Sequence, residues 1–169
     1  MVLRNRFKLF ITFYLGSLLT LALGGCSDKR EFHKAYLNEH LSRFNELRLL
    51  IESRYSARLA DTASARNWLI FTECGKNVKV SMDYICDDSE ILHMMSELDV
   101  NEISFQGRMT PCSEHSIFND ISFRKADHDL QVVYFYYEYC GTKEKFESNT
   151  IFYQPIDDHW SVYIDSSFP

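Results

Sequence analysis

The chain has 169 residues, 46% of them hydrophobic and 15% aromatic, with a formal net charge of −6 at pH 7. That is enough apolar chain to bury one ordinary core, and no internal repeat or low-complexity segment interrupts it. The acidic balance argues against nucleic acid or an anionic lipid surface as a partner.

Arg4, Arg6 and Lys8 open the chain, and no acid appears before Asp28. An apolar run from Leu9 to Leu23 follows, broken only by small or hydroxyl residues. A basic start, a short apolar stretch and small residues at its end describe an export signal. The run is short of the roughly 20 apolar residues that a membrane span needs. Its last block, Leu23-Gly24-Gly25-Cys26, resembles the lipobox of bacterial lipoproteins. The resemblance covers residues 1–28 only. It implies that residues 1–25 are removed as a signal peptide and that Cys26 is acylated. The lipid bilayer then becomes a partner, held by several acyl chains where one would be marginal. Ser27 after the cysteine implies, by the same resemblance, sorting to the outer membrane with the protein facing the periplasm. Residues 26–169 remain as a single periplasmic domain, with 15 basic against 24 acidic residues and a net charge of −9.

Phe32, Leu37, Leu41, Phe44, Leu47, Ile51 and Tyr55 recur at helical spacing, which predicts a core-packing helix over 31–58. "ADTASAR" at 60–66 reads as a polar connector. Strands follow at 68–73 and 78–85 around a turn at Gly75-Lys76-Asn77, then a helix at 87–98. Asp87, Asp88 and Glu90 fall in that helix's first turn, where the helix dipole favours acids. The remainder is strand-like at 101–106, 116–125, 130–140, 149–155 and 159–165, with turns at 126–129, 141–148 and 155–159. The expected fold is α+β: an antiparallel meander sheet packed against a long N-terminal helix, with a second short helix and two disulfides.

"VVYFYYEYC" at 132–140 is the most unusual stretch. A four-residue loop at 126–129 would set Tyr134 opposite Ile121. Strand alternation then puts Tyr134, Tyr136 and Glu138 on one face with Ile117, Asn119, Ile121 and Phe123, joined by Tyr153, Ser161 and Tyr163. Val133, Phe135, Tyr137 and Tyr139 share the other face with Phe152, Trp160, Val162 and Ile164, and that more apolar face should receive the helix. Tyrosines mixed with polar groups are typical of recognition surfaces. The candidate binding residues are therefore Tyr134, Tyr136, Glu138, Tyr153, Tyr163 and Asn119. The competing reading is a second core layer whose hydroxyls are satisfied locally, and a one-residue slip would exchange the faces.

With Cys26 on lipid, Cys74, Cys86, Cys112 and Cys140 read as two disulfides in an oxidising compartment. The register places Cys140 opposite His115 and near Cys112, so Cys112–Cys140 is one expected pair and Cys74–Cys86 the other. The second pair conflicts with a tight hairpin over 68–85, which would hold its cysteines apart. No C-x-x-C spacing occurs, and neither a metal nor a cofactor is expected.

No G-x-S-x-G, H-E-x-x-H, P-loop or G-x-G-x-x-G motif occurs. His93, His115, His128 and His159 are scattered and no orienting partner is legible for any of them, so the chain reads as a non-enzyme. Three functions stay open. The first is an immunity or inhibitor lipoprotein that occludes a toxin or hydrolytic enzyme, its acidic surface steering a basic protein partner. The second is an accessory lipoprotein of an envelope assembly or secretion system. The third is a small-ligand-binding lipoprotein.

Overall fold

The structure is a computed structural model that describes residues 3–65, 68–74, 82–107, 118–125 and 131–167, with side chains in the first helix from Lys29 onward. The lipobox residues therefore lie outside the described side chains. The chain divides into two compact units, Met1–Tyr36 and Leu37–Pro169, and the second contains the whole sheet.

Helix α1 (Leu3–Arg54) ends at Tyr55, and α2 (Ser56–Ala65) begins at once. Leu37, Phe44, Leu47 and Ile51 are fully buried, as their spacing predicts, whereas Phe32 is 57% exposed. The segment expected as a connector at 60–66 is instead helical through Ala65. Leu59 and Thr62 explain this: three residues apart, they share a helix face and are both buried. The Thr62 hydroxyl also donates to the Arg58 carbonyl at 2.8 Å.

Eight strands form one mixed sheet: β1 (Trp68–Thr72), β2 (Met82–Ile85), β3 (Val100–Gly107), β4 (Phe118–Lys125), β5 (Val132–Glu138), β6 (Phe146–Glu147), β7 (Ile151–Pro155) and β8 (Trp160–Asp165). Their order is β2-β1-β3-β4-β5-β8-β7-β6. The expected α+β class holds, but the meander does not. β2 runs parallel to β1 with Phe71 beside Ile85, so 68–85 is no tight hairpin. That arrangement removes the conflict over the cysteines. Both strands end at the same side, and Cys74 and Cys86 form a disulfide with Cα atoms 4.9 Å apart. Cys140 is also disulfide-bonded, while Cys112 and His115 lie outside the described residues. The second departure is at β5, whose neighbour is β8 rather than β7. Trp160, Val162 and Ile164 are nearly fully buried and suit an inner strand. β7 ends in Pro155, which has no N–H to donate and fits toward the edge.

The third departure is the β4–β5 register. Tyr134 faces Arg124, and Ile121 faces Tyr137. Ile121 and Phe123 thus join Phe135, Tyr137 and Val162 on the helix-bearing face, in cross-sheet rows that begin at Leu69 and Phe71. The Phe44 ring fills the space above them, edge-on to Phe123, Phe135 and Trp160 with centroids 5.3–5.8 Å away. Such aromatic pairs add about 0.5–1.5 kcal/mol each to their buried area. Further along α1, the Arg48 guanidinium lies 4.2 Å from the Tyr137 ring centre, and Glu52 accepts the Tyr139 hydroxyl at 2.5 Å.

Helix α3 (Ser89–Glu97) starts at Asp88, whose carboxylate accepts the Ile91 N–H at 3.2 Å. The same carboxylate accepts from Arg54 at 2.9 Å and from the Tyr55 hydroxyl at 2.8 Å. The acids expected as a cap therefore also pin α3 to the end of α1.

Candidate binding face

The opposite face of the sheet carries the tyrosines. One cross-strand row runs Glu102, Arg124, Tyr134, Tyr163, Tyr153 and Phe146 across six strands. The next holds Ser104, Ser122, Tyr136 and Ser161. A third places Asp120 directly opposite Glu138. Tyr134, Tyr136, Glu138, Tyr153 and Tyr163 thus come together as their strand phases predict. The Asn119 side chain lies outside the described side chains, and Asp120 is the β4 residue opposite Glu138.

The tyrosines divide by what their hydroxyls do. The Tyr153 hydroxyl donates to Glu138 Oε1 at 2.6 Å and accepts the Lys143 N–H at 2.9 Å. Ser161 donates to the same Glu138 oxygen at 2.7 Å. Glu138 is 7% exposed and Tyr153 9%, so this trio is a satisfied buried network. Tyr134, Tyr136 and Tyr163 differ. They stay partly exposed, and among the described residues their hydroxyls have no hydrogen-bond partner. Their rings pack on one another instead, with centroids 5.8–6.1 Å apart. Tyr153 thus belongs to the buried network, whereas the other three leave their hydroxyls without a partner among the described residues.

Beside them lies an open groove of about 370 Å³. The sheet supplies Asp120, Tyr136, Glu138, Phe146, Ile151, Tyr153 and Tyr163, and the segment after β5 supplies Lys143 and Glu144. Phe146 is 55% exposed. Among the described residues the Asp120 carboxylate and Glu138 Oε2 accept no hydrogen bond. Burial pushes the Asp120 carboxyl above its usual range, the Glu138 charge adds to the effect, and Lys143 opposes it. Burial likewise raises the hydroxyls of Tyr134, Tyr136 and Tyr163, and Asp120 adds to the rise at Tyr136.

Asp120, Lys143, Glu144, Phe146 and Ile151 are not among the candidate binding residues expected from the sequence. Asp120 had a signal: in "DISFRK" the apolar Ile121 and Phe123 alternate with Asp120, Ser122 and Arg124. That pattern alone puts Asp120 on the polar face. The segment after β5 had none, because a turn-rich stretch does not reveal which groove it borders.

The other candidates stay apart. His93 is exposed, 3.7 Å from Glu97. His159 sits in a turn, its Nδ1 2.8 Å from the Glu138 carbonyl and its ring stacked on Tyr137. His115 and His128 lie outside the described residues. Among the described residues no three His, Cys, Asp or Glu side chains gather as metal ligands, and no helix is long and apolar enough to cross a membrane. No family model, curated protein or solved structure matches the chain.

Proposed function

We propose that the chain is a lipid-tethered periplasmic protein that neutralises a toxin or hydrolytic enzyme by occlusion, using the tyrosine face of its sheet. The observation that supports this is the trio Tyr134, Tyr136 and Tyr163, whose rings are partly exposed and whose hydroxyls have no partner among the described residues. Tyrosines packed on one another offer a rigid, wide contact area at low entropy cost. Their hydroxyls can meet polar groups of a partner without first breaking an internal bond. The tether follows from the lipobox resemblance at Cys26. The acidic charge outside the signal segment favours a basic partner and speeds its encounter.

The test is a capture by the full-length lipidated chain, held in non-ionic detergent with its disulfides oxidised, from secreted and envelope fractions of the source cell. The expected result is one secreted enzyme, retained stoichiometrically, inhibited at equimolar chain and released by Tyr136→Ala. Tyr136→Ala must leave the far-UV spectrum intact for the release to count. Retention of resident envelope proteins without inhibition would replace this function with that of an envelope-assembly accessory.

A further inference from the structure

The geometry points to the groove at Asp120 and Glu138 as a socket for one arginine side chain projecting from a protein partner. This rests on the occlusion reading and gives that surface a chemical specificity. The groove presents three carboxylates, Asp120, Glu138 and Glu144, against the single ammonium of Lys143. Asp120 and Glu138 oppose each other across β4 and β5, an arrangement that repels unless a cation sits between them. Glu138 Oε1 already holds two hydroxyls, so Oε2 is its remaining acceptor. Together with the Asp120 carboxylate, which accepts no hydrogen bond among the described residues, it offers acceptors on two adjacent strands. A planar guanidinium donates to two such acceptors at once, which a lysine ammonium does less well. The Tyr136 and Tyr163 side chains line the same groove, and a guanidinium is attracted to tyrosine rings.

Size agrees with charge. An open groove of about 370 Å³ has room for one long side chain. Tyr163 at the groove also packs against the partly exposed Tyr134, so a residue seated in the groove would belong to a partner resting on the whole face. Lys143 is the competing cation. Its backbone N–H is held by Tyr153, but its exposed ammonium makes no ion pair among the described residues and is weakly placed.

The experiment titrates the full-length chain in non-ionic detergent with Nα-acetylarginine amide, following the tyrosine ring resonances by NMR. Nα-acetylcitrulline amide, uncharged and nearly isosteric, and Nα-acetyllysine amide are run beside it. The expected result is saturable shifts at Tyr136 and Tyr163, at least about ten-fold weaker binding of the citrulline probe, and lysine between the two. Asp120→Asn should weaken the arginine probe about ten-fold or more, and Lys143→Gln should strengthen it. Equal binding of citrulline, equal binding of lysine, or unchanged binding in the Asp120→Asn chain would overturn the socket. Capture of an inhibited enzyme that survives Asp120→Asn but not Tyr136→Ala would also overturn it, while leaving the occlusion function standing.

Discussion

Replacing Asp120 by Asn is expected to stabilise the free protein at neutral pH, although it removes a group assigned to binding. Asp120 faces Glu138 across the strand pair and accepts no hydrogen bond from the described residues. Burial first, and the Glu138 charge second, hold its carboxyl above the ordinary range, with Lys143 pulling the other way. A carboxyl raised on folding binds its proton more tightly in the native state than in the unfolded chain. Stability is then highest below the ordinary carboxylate value of about 3.9 and falls as pH climbs through the raised one. Asn cannot ionise, so the variant escapes that loss. Like charges directly opposed in a sheet cost about 0.2–1 kcal/mol, and desolvation adds to it, so a gain of about 1 kcal/mol is expected. At this chain length that is about 2–4 °C in Tm. The assay is thermal unfolding of both proteins by circular dichroism, near neutral pH and at about pH 3. The gain should appear at neutral pH and vanish in acid. A loss of stability of similar size at both pH values would refute the reasoning, because it would mean that Asp120 makes a favourable contact whatever its charge.

Glu138→Ala should behave oppositely, losing about 2–4 kcal/mol by urea denaturation, since it strands the buried Tyr153 and Ser161 hydroxyls. Glu138→Gln keeps an acceptor oxygen and should lose less. Phe44→Ala should cost about 3–5 kcal/mol in the same assay, because the ring is fully buried among Phe123, Phe135 and Trp160. Phe32→Ala, at an exposed position of the same helix, should stay within about 0.5 kcal/mol. Replacing Cys74 and Cys86 with Ser opens a bridge of sequence separation 12 and should cost about 3 kcal/mol. Hydrogen exchange should then show β2 losing protection before β4 and β5, since β2 is an edge strand joined to β1 alone.

Much of the candidate site was legible because strand alternation is a local property. Tyr134 and Tyr136 must point away from Val133 and Phe135 in any sheet, and Tyr163 away from Val162 and Ile164. The β4–β5 register is not local: it depends on the connection between the strands, whereas the alternation inside β4, with Ile121 and Phe123 buried, by itself gives Asp120 to the tyrosine face. The hairpin expected over 68–85 gives way to a parallel β1–β2 pair for a related reason. A Gly-Lys-Asn turn signal is short-range, whereas the Cys74–Cys86 bridge constrains where two distant strand ends lie, and the bridge prevails.

By itself, then, the sequence determined what each segment could do alone. The three-to-four spacing from Leu37 to Ile51 makes a helix with one apolar face, the acids at 87–90 cap the next helix, and "VVYFYYEYC" separates tyrosines from aliphatics. Tertiary structure alone decided the partners. It set β8 rather than β7 beside β5, put Asp120 across from Glu138, and laid the segment after β5 along the groove. The physical reason is range. Backbone period and side-chain type act within a few residues, whereas strand order and register come from burying the apolar faces of many segments at once. A groove drawing residues from β4, β5, β6, β7, β8 and a connecting segment exists only after that global choice is made.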